Sequence, residues 1–140
     1  AMTDGLVAPV PNDDWSALDR REAAYRRHDA TDAVRHGVDG VPRIAVYAIA
    51  PDQMLAASAA HPILLSYLDV VVQGFLAEFG HDGAARFFAE TAGWDTPVLN
   101  DRDAPLYPRA QTLTVAERRV VDDGLAQVGA RLIRDDGRVA

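Results

Sequence analysis

Several residue types that carry common catalytic chemistry are missing or scarce in this chain. It has no cysteine, which excludes disulfides, thiolate nucleophiles and thiolate metal sites. It has no lysine, since all 14 basic residues are arginine, and this excludes Schiff-base chemistry through a lysine. Only three serines occur, none of them in a G-x-S-x-G motif, which disfavours a serine hydrolase.

The usual signatures of bound cofactors are absent as well. No glycine-rich phosphate loop occurs in the sequence. The four histidines have neither an i, i+4 ligand spacing nor an acidic cluster beside them: His28, His36, His61 and His81. We therefore expect no metal site and no cofactor.

Charge and hydropathy narrow the class of partner. The formal net charge of −7 disfavours nucleic acids and anionic membranes, because both bind basic surfaces. The longest apolar run, residues 63–76, is interrupted by Ser66, Asp69 and Gln73 and is a poor membrane span. No charged segment followed by an apolar one opens the chain, so we expect a cytoplasmic protein that binds a small molecule or another protein. The arginine bias, with abundant alanine, is typical of a GC-rich bacterial genome.

The first third of the sequence predicts mainly strands. Residues 5–10 form a short β-like run, and a helix follows, capped by Asn12 or Asp13. A strand starts near Tyr25, a turn covers residues 37–42, and residues 43–50 form the strongest strand pattern.

The remaining chain predicts mainly helices. One helix covers residues 62–79, a glycine-containing break follows at 80–83, and a second, short helix ends at Gly93. An ordered, extended loop then leads to a helix that Thr114 caps and that runs to about Leu132. The sequence thus predicts one α+β domain over residues 5–134, with tails at 1–4 and 135–140.

Glu22 is the most unusual acidic residue. In a helix, Trp15, Leu18 and Glu22 would lie at i, i+3 and i+7, so the carboxylate would share a stripe with two large apolar side chains. One interpretation is a surface ion pair with Arg26, four residues on. The other is a partly buried carboxylate that carries a proton near neutral pH.

Two further groups of residues could line a site. Tyr25, Tyr47 and Tyr67 could line a pocket, although each could equally be a core aromatic residue with its hydroxyl bonded. The loop contains Asn100, Asp101, Arg102 and Arg109, and its arginines could clamp a substrate carboxylate. The alternative, which we favour, is that Asp–Arg pairs fix the loop to the domain.

Four segments together resemble a known family. The segment "LDRREAAYRR" resembles the acidic motif of gamma-glutamylcyclotransferases and their ChaC-like relatives. In the same order, "RIAVYAIA" resembles the family strand with a pocket tyrosine, and "SYLDVVVQGF" resembles its tyrosine followed seven residues later by glycine. The segment "LNDRDAPLYPRA" resembles a signature loop of a bacterial subgroup. The resemblance spans residues 5 to about 132.

The resemblance implies a fold and an activity. The family fold would be a small, mixed, barrel-like sheet surrounded by helices, and the activity would be cyclisation of a gamma-glutamyl amide or peptide to 5-oxoproline with release of an amine. Glu22 would be the catalytic acid/base, and Tyr25, Tyr47, Tyr67 and Arg102 would bind the substrate.

The sequence also departs from the family pattern. It has no counterpart of the N-terminal strand and "YGS"-type turn whose amides hold the glutamyl group in the family. The rival hypothesis is therefore a truncated, non-catalytic binding or oligomerising module of the same fold. The missing strand would leave a sheet edge that a homodimer or a partner chain could cover.

Overall fold

The computed structural model describes residues 2–54, 58 and 60–134. The chain divides into two compact units. The hairpin unit comprises Gly5–Leu55, and the helical unit comprises Ala1–Asp4 and Ala56–Ala140. The expectation of one domain over residues 5–134 stays a prediction, and the expected tail at 135–140 lies outside the described residues.

The hairpin unit contains one α-helix and two strands. Its regular elements are a 3-10 turn at Pro11–Asp13, α1 (Trp15–Arg21), β1 (Arg26–Asp29), β2 (Ala45–Ala48) and a 3-10 turn at Pro51–Gln53. Asp14 caps α1 by accepting a hydrogen bond from the amide of Ala17 at 2.9 Å. The predicted N-cap, Asn12 or Asp13, is thus wrong by one or two residues.

The predicted strand at residues 5–10 is wrong. These residues form no regular element, and Leu6 and Val7 are exposed. Pro9 and Pro11 lack the amide hydrogens that a sheet ladder needs, and no apolar surface covers the run.

The two other strands predicted for this region are confirmed and pair with each other. β1 and β2 are antiparallel, with Arg27 opposite Tyr47 and Asp29 opposite Ala45. Because side chains alternate along a strand, these four residues lie on one face of the hairpin. The connection between the strands bends at Asp39 and Gly40, inside the predicted turn.

The helical unit is built around two α-helices and a small sheet. Its regular elements are β3 (Ile63–Leu64), α2 (Leu65–Glu90), β4 (Val98–Leu99), α3 (Val115–Gln127) and β5 (Leu132–Ile133). α2 covers both predicted helices, and Gly80 (φ 66°, ψ −167°) interrupts its helical geometry at the predicted break. Gly80 can adopt this conformation because it has no Cβ.

α2 and α3 enclose the core of the helical unit. The core includes nine buried apolar residues: Leu65, Leu68, Val72, Ala84, Phe88, Val98, Leu113, Val121 and Leu125. Phe88 approaches α3 so closely that a Cβ added at Gly124 would clash with its ring. Glycine at this position therefore allows the two helices to pack together.

α3 begins where the sequence predicts and ends earlier. The hydroxyl of Thr114 accepts from the amide of Glu117, and the Glu117 carboxylate accepts from the amide of Thr114, which forms a capping box. The helix stops at Gln127 rather than near Leu132, because Gly129 adopts a φ of 68° and closes a Schellman-type end. Leu132 then lies in β5.

The expected barrel-like sheet is not formed by the described strands. β1 and β2 make a two-stranded sheet, and β3, β4 and β5 make a separate parallel sheet in that order. Strands of two residues are too short to curve into a closed barrel. The architecture is therefore mixed α and β, without barrel closure in the part of the chain described.

None of the helices described is both long and apolar enough to cross a lipid bilayer.

Candidate functional site

Glu22 lies at the end of α1. It is the C-cap residue, and its amide donates to the carbonyl of Leu18 at 2.8 Å. Its carboxylate accepts from Nε of Arg21 at 2.8 Å, and its side chain is only 25% exposed. The alternative partner, Arg26, instead lies 3.7 Å from the carboxylate of Asp52. Glu22 is therefore partly shielded, and its ion pair is with the preceding arginine.

Tyr47 connects β2 to α1. Its hydroxyl donates to Oδ1 of Asp19 at 2.6 Å, and Oδ2 of Asp19 lies 3.4 Å from the guanidinium of Arg27. Desolvation and the hydrogen bond to Asp19 raise the pKa of Tyr47 above its ordinary value, and the charge of Glu22 adds to this shift. The carboxylate of Asp19 therefore holds the Tyr47 hydroxyl in place as a hydrogen-bond donor.

Tyr25 is close to Glu22 along the chain. Its amide donates to the carbonyl of Glu22 at 2.8 Å in the turn before β1, and its ring is exposed. The structure thus places three of the predicted site residues, Glu22, Tyr25 and Tyr47, in the hairpin unit.

The hairpin unit also contains a cavity of about 310 Å³. It is lined by Trp15, Arg27, Asp29, Arg43, Ile44 and Ala45. The guanidinium carbons of Arg27 and Arg43 lie 4.8 and 5.5 Å from the centroid of the Trp15 ring, within cation–π range. We refer to these six lining residues as the Trp15 pocket.

No motif in the sequence marks the charged residues of the Trp15 pocket as site residues. The alternation of side chains along the two strands does, however, indicate which of these residues share a face. Arg27 and Asp29 are two residues apart on β1, so their side chains share one face of the strand. Arg43 lies two residues before Ala45, the residue on β2 that pairs with Asp29. These residues come together only in the register that pairs β1 with β2, and this register cannot be predicted from the sequence alone.

The remaining predicted site residues, Tyr67 and Arg102, belong to the helical unit. The ring of Tyr67 packs against Tyr107 at a centroid distance of 5.1 Å and an interplanar angle of 73°. The side chain of Tyr67 is nevertheless exposed, so the alternative that Tyr67 is a core aromatic residue is wrong. Its predicted role in substrate binding stays a prediction.

Arg102 is fixed by two carboxylates. Nε and Nη2 donate to the two oxygens of Asp69 at 2.8 and 2.7 Å, and Nη1 donates to Asp122 at 2.7 Å. Burial lowers the pKa of Arg102, but the hydrogen bonds to Asp69 and Asp122 outweigh burial and raise that pKa. These contacts fit the alternative that Asp–Arg pairs fix the loop. Arg102 as a substrate ligand stays a prediction.

Asp101, which precedes Arg102 in the same loop, caps the start of α2. Its carboxylate accepts from the amide and hydroxyl of Ser66 at 2.8 and 2.6 Å and from the amide of Leu106 at 2.9 Å. Leu64, the N-cap residue of α2, has no side chain that could accept such bonds, so Asp101 caps α2 from the loop. Burial raises the pKa of Asp101, but the bonds from Ser66 and Leu106 outweigh it and lower that pKa.

Within residues 2–54, 58 and 60–134, no three or more histidine, aspartate or glutamate side chains are grouped so that they could hold a metal ion.

The chain was compared with protein-family models, with curated proteins and with solved structures, and none of the three comparisons gave a match. The resemblance to gamma-glutamylcyclotransferases therefore rests on the quoted motifs.

Proposed function

We propose that the chain is a gamma-glutamylcyclotransferase-like enzyme in which Glu22 transfers the proton. The observation that supports this most is the position of Glu22. It follows α1 directly, its side chain is partly shielded, and it precedes Tyr25 in the turn that leads into β1. The fold thus holds the Glu22 carboxylate in a defined position, which proton transfer to and from a bound substrate requires.

The proposed reaction is an intramolecular acyl transfer. The α-amine of the substrate attacks its own γ-carbonyl carbon, a C–N bond closes the five-membered ring, and the bond to the leaving amine breaks. The α-ammonium first loses one proton to water, which gives the neutral amine that attacks. Glu22 then takes the second proton from the ring nitrogen and gives it to the leaving nitrogen, which departs as a neutral amine. Because the nucleophile is part of the substrate, the protein contributes orientation and proton transfer, and no nucleophilic side chain is required.

Tyr47 would contribute a stable phenol to this site. A phenol is protonated at neutral pH, and the bond that Tyr47 donates to Asp19 fixes the position of its hydroxyl. Tyr25, on the turn that follows Glu22, would contact the substrate from the exposed side.

The test is product formation from a panel of gamma-glutamyl amides and dipeptides that differ in the leaving amine. Mass spectrometry should detect 5-oxoproline and the free amine in equal amounts, above the rate of spontaneous cyclisation in buffer. If no member of the panel yields 5-oxoproline above that background, the proposed activity is wrong.

A second candidate is a binding module that associates through its sheet. Within the described part of the chain, β1 and β2 pair only with each other, and the β1 side chains are exposed. We propose that a second copy of the chain adds a strand to this hairpin, as unpaired edges allow. Light scattering across a hundredfold concentration range should show a dimer, and a monomer throughout would refute this association.

A further inference from the structure

The Trp15 pocket combines two cations and an anion on the wall of one cavity. Arg27 and Arg43 lie over the indole of Trp15, and Asp29 lines the same space. Stacking on an aromatic ring orients a guanidinium group while its N–H groups stay available to an anion. The pocket is therefore arranged to recognise charge of both signs.

The two arginines differ in how much of their charge is already balanced. Arg27 pairs with Asp19 at 3.4 Å. Arg43 forms no salt bridge with any carboxylate in the described part of the chain, although its charge acts on Asp29. Arg43 is accordingly the stronger candidate to bind a carboxylate.

Asp29 is fixed as an anion. Its Oδ1 accepts from the amide of Thr31 at 2.9 Å. Hydrogen bonds from Thr31 lower the pKa of Asp29, desolvation opposes them, and the charge of Arg43 adds to the lowering. Asp29 therefore stays ionised at neutral pH, and its other oxygen can accept from an ammonium group.

We infer that the Trp15 pocket binds an α-amino-acid head group, with the carboxylate on Arg43 and Arg27 and the ammonium on Asp29. A ligand that carries both charges can pair with the arginines and with Asp29. A simple anion would be repelled by Asp29, and a simple cation would be repelled by the arginines. The cavity of about 310 Å³ has room for a small amino acid. The inference extends the proposed function, because a gamma-glutamyl amide carries this head group, but its test is binding and needs no turnover.

The experiment uses Trp15 as its own reporter. The chain has two tryptophans, so Trp94→Phe leaves Trp15 as the only indole. Its emission is titrated with L-glutamine, with 4-carbamoylbutanoate, which lacks the ammonium, and with 4-aminobutanamide, which lacks the carboxylate. L-glutamine should give a saturable change, and each analogue should bind at least about tenfold more weakly. No saturable response to L-glutamine, or equal affinity for an analogue, would overturn the inference.

Two variants test which residue binds each charge of the ligand, and a third variant serves as control. Arg43→Gln should weaken L-glutamine binding at least about tenfold, whereas Arg35→Gln, at an exposed position in the same unit, should not change it. Asp29→Asn keeps an oxygen for the Thr31 amide and should reduce the affinity for L-glutamine to that for 4-carbamoylbutanoate. Circular dichroism shows whether each variant is folded, and unchanged binding in folded Arg43→Gln would contradict the assignment. A chain that binds L-glutamine yet forms no 5-oxoproline would refute only the proposed enzyme.

Discussion

Replacing Arg102 with methionine should destabilise the helical unit by about 3–5 kcal/mol. The Arg102 side chain is 15% exposed, and its guanidinium donates two hydrogen bonds to Asp69, whose side chain is 7% exposed. Methionine fills similar space but donates nothing, so Asp69 is left as a buried carboxylate without its cation. Removing one partner of a buried pair typically costs about this much.

Urea unfolding followed by the fluorescence of Trp94 measures this effect in the helical unit. Trp94 packs against Phe88 in the core, with ring centroids 5.5 Å apart, and Trp15→Phe removes the signal of the other unit. Arg119→Met, an exposed change on α3, is the matched control and should shift the free energy of unfolding by less than about 0.5 kcal/mol.

A double-mutant cycle with Asp69→Asn separates the pair from each residue alone. If the two groups stabilise each other, the double variant should lose about 1–3 kcal/mol less than the sum of the single variants. A loss below about 1 kcal/mol in Arg102→Met, or costs that simply add, would refute the account of Arg102 as the residue that fixes the loop.

Three further changes test the helical unit by urea unfolding. Asp101→Asn should cost about 2 kcal/mol by weakening the cap of α2. Because the folded pKa of Asp101 is lowered, its contribution is present above about pH 4 and is lost as the pH falls further, so the variant should show less acid destabilisation than the parent. An equal acid response would contradict this. Gly124→Ala places a Cβ against Phe88 and should cost about 1–3 kcal/mol, whereas a gain would disprove the close packing. Thr114→Ala should cost about 1 kcal/mol, and no change would argue against the cap of α3.

Local signals in the sequence predicted much of the secondary structure. The cap at Thr114, the break at Gly80 and the strand that contains Tyr47 each depend on a few neighbouring residues. The early end of α3 could also have been read from Gly129, a typical helix-ending residue.

Features that depend on distant residues could not be predicted in this way. The cap of α2 comes from Asp101, 35 residues after Ser66, and only the fold brings them together. β3 and β5 have two residues each, too few to give a pattern. The Trp15 pocket likewise depends on the register between β1 and β2, which the turn and the packing set.

The ratio of kcat/KM between the parent chain and Glu22→Gln tests the central claim most directly. With the best gamma-glutamyl substrate, loss of the carboxylate should lower 5-oxoproline formation about 100-fold or more, the usual contribution of a general acid/base. Glu90→Gln, on α2, should leave the rate unchanged. A Glu22→Gln variant that is folded and forms 5-oxoproline at the parental rate would contradict the assignment of proton transfer to Glu22.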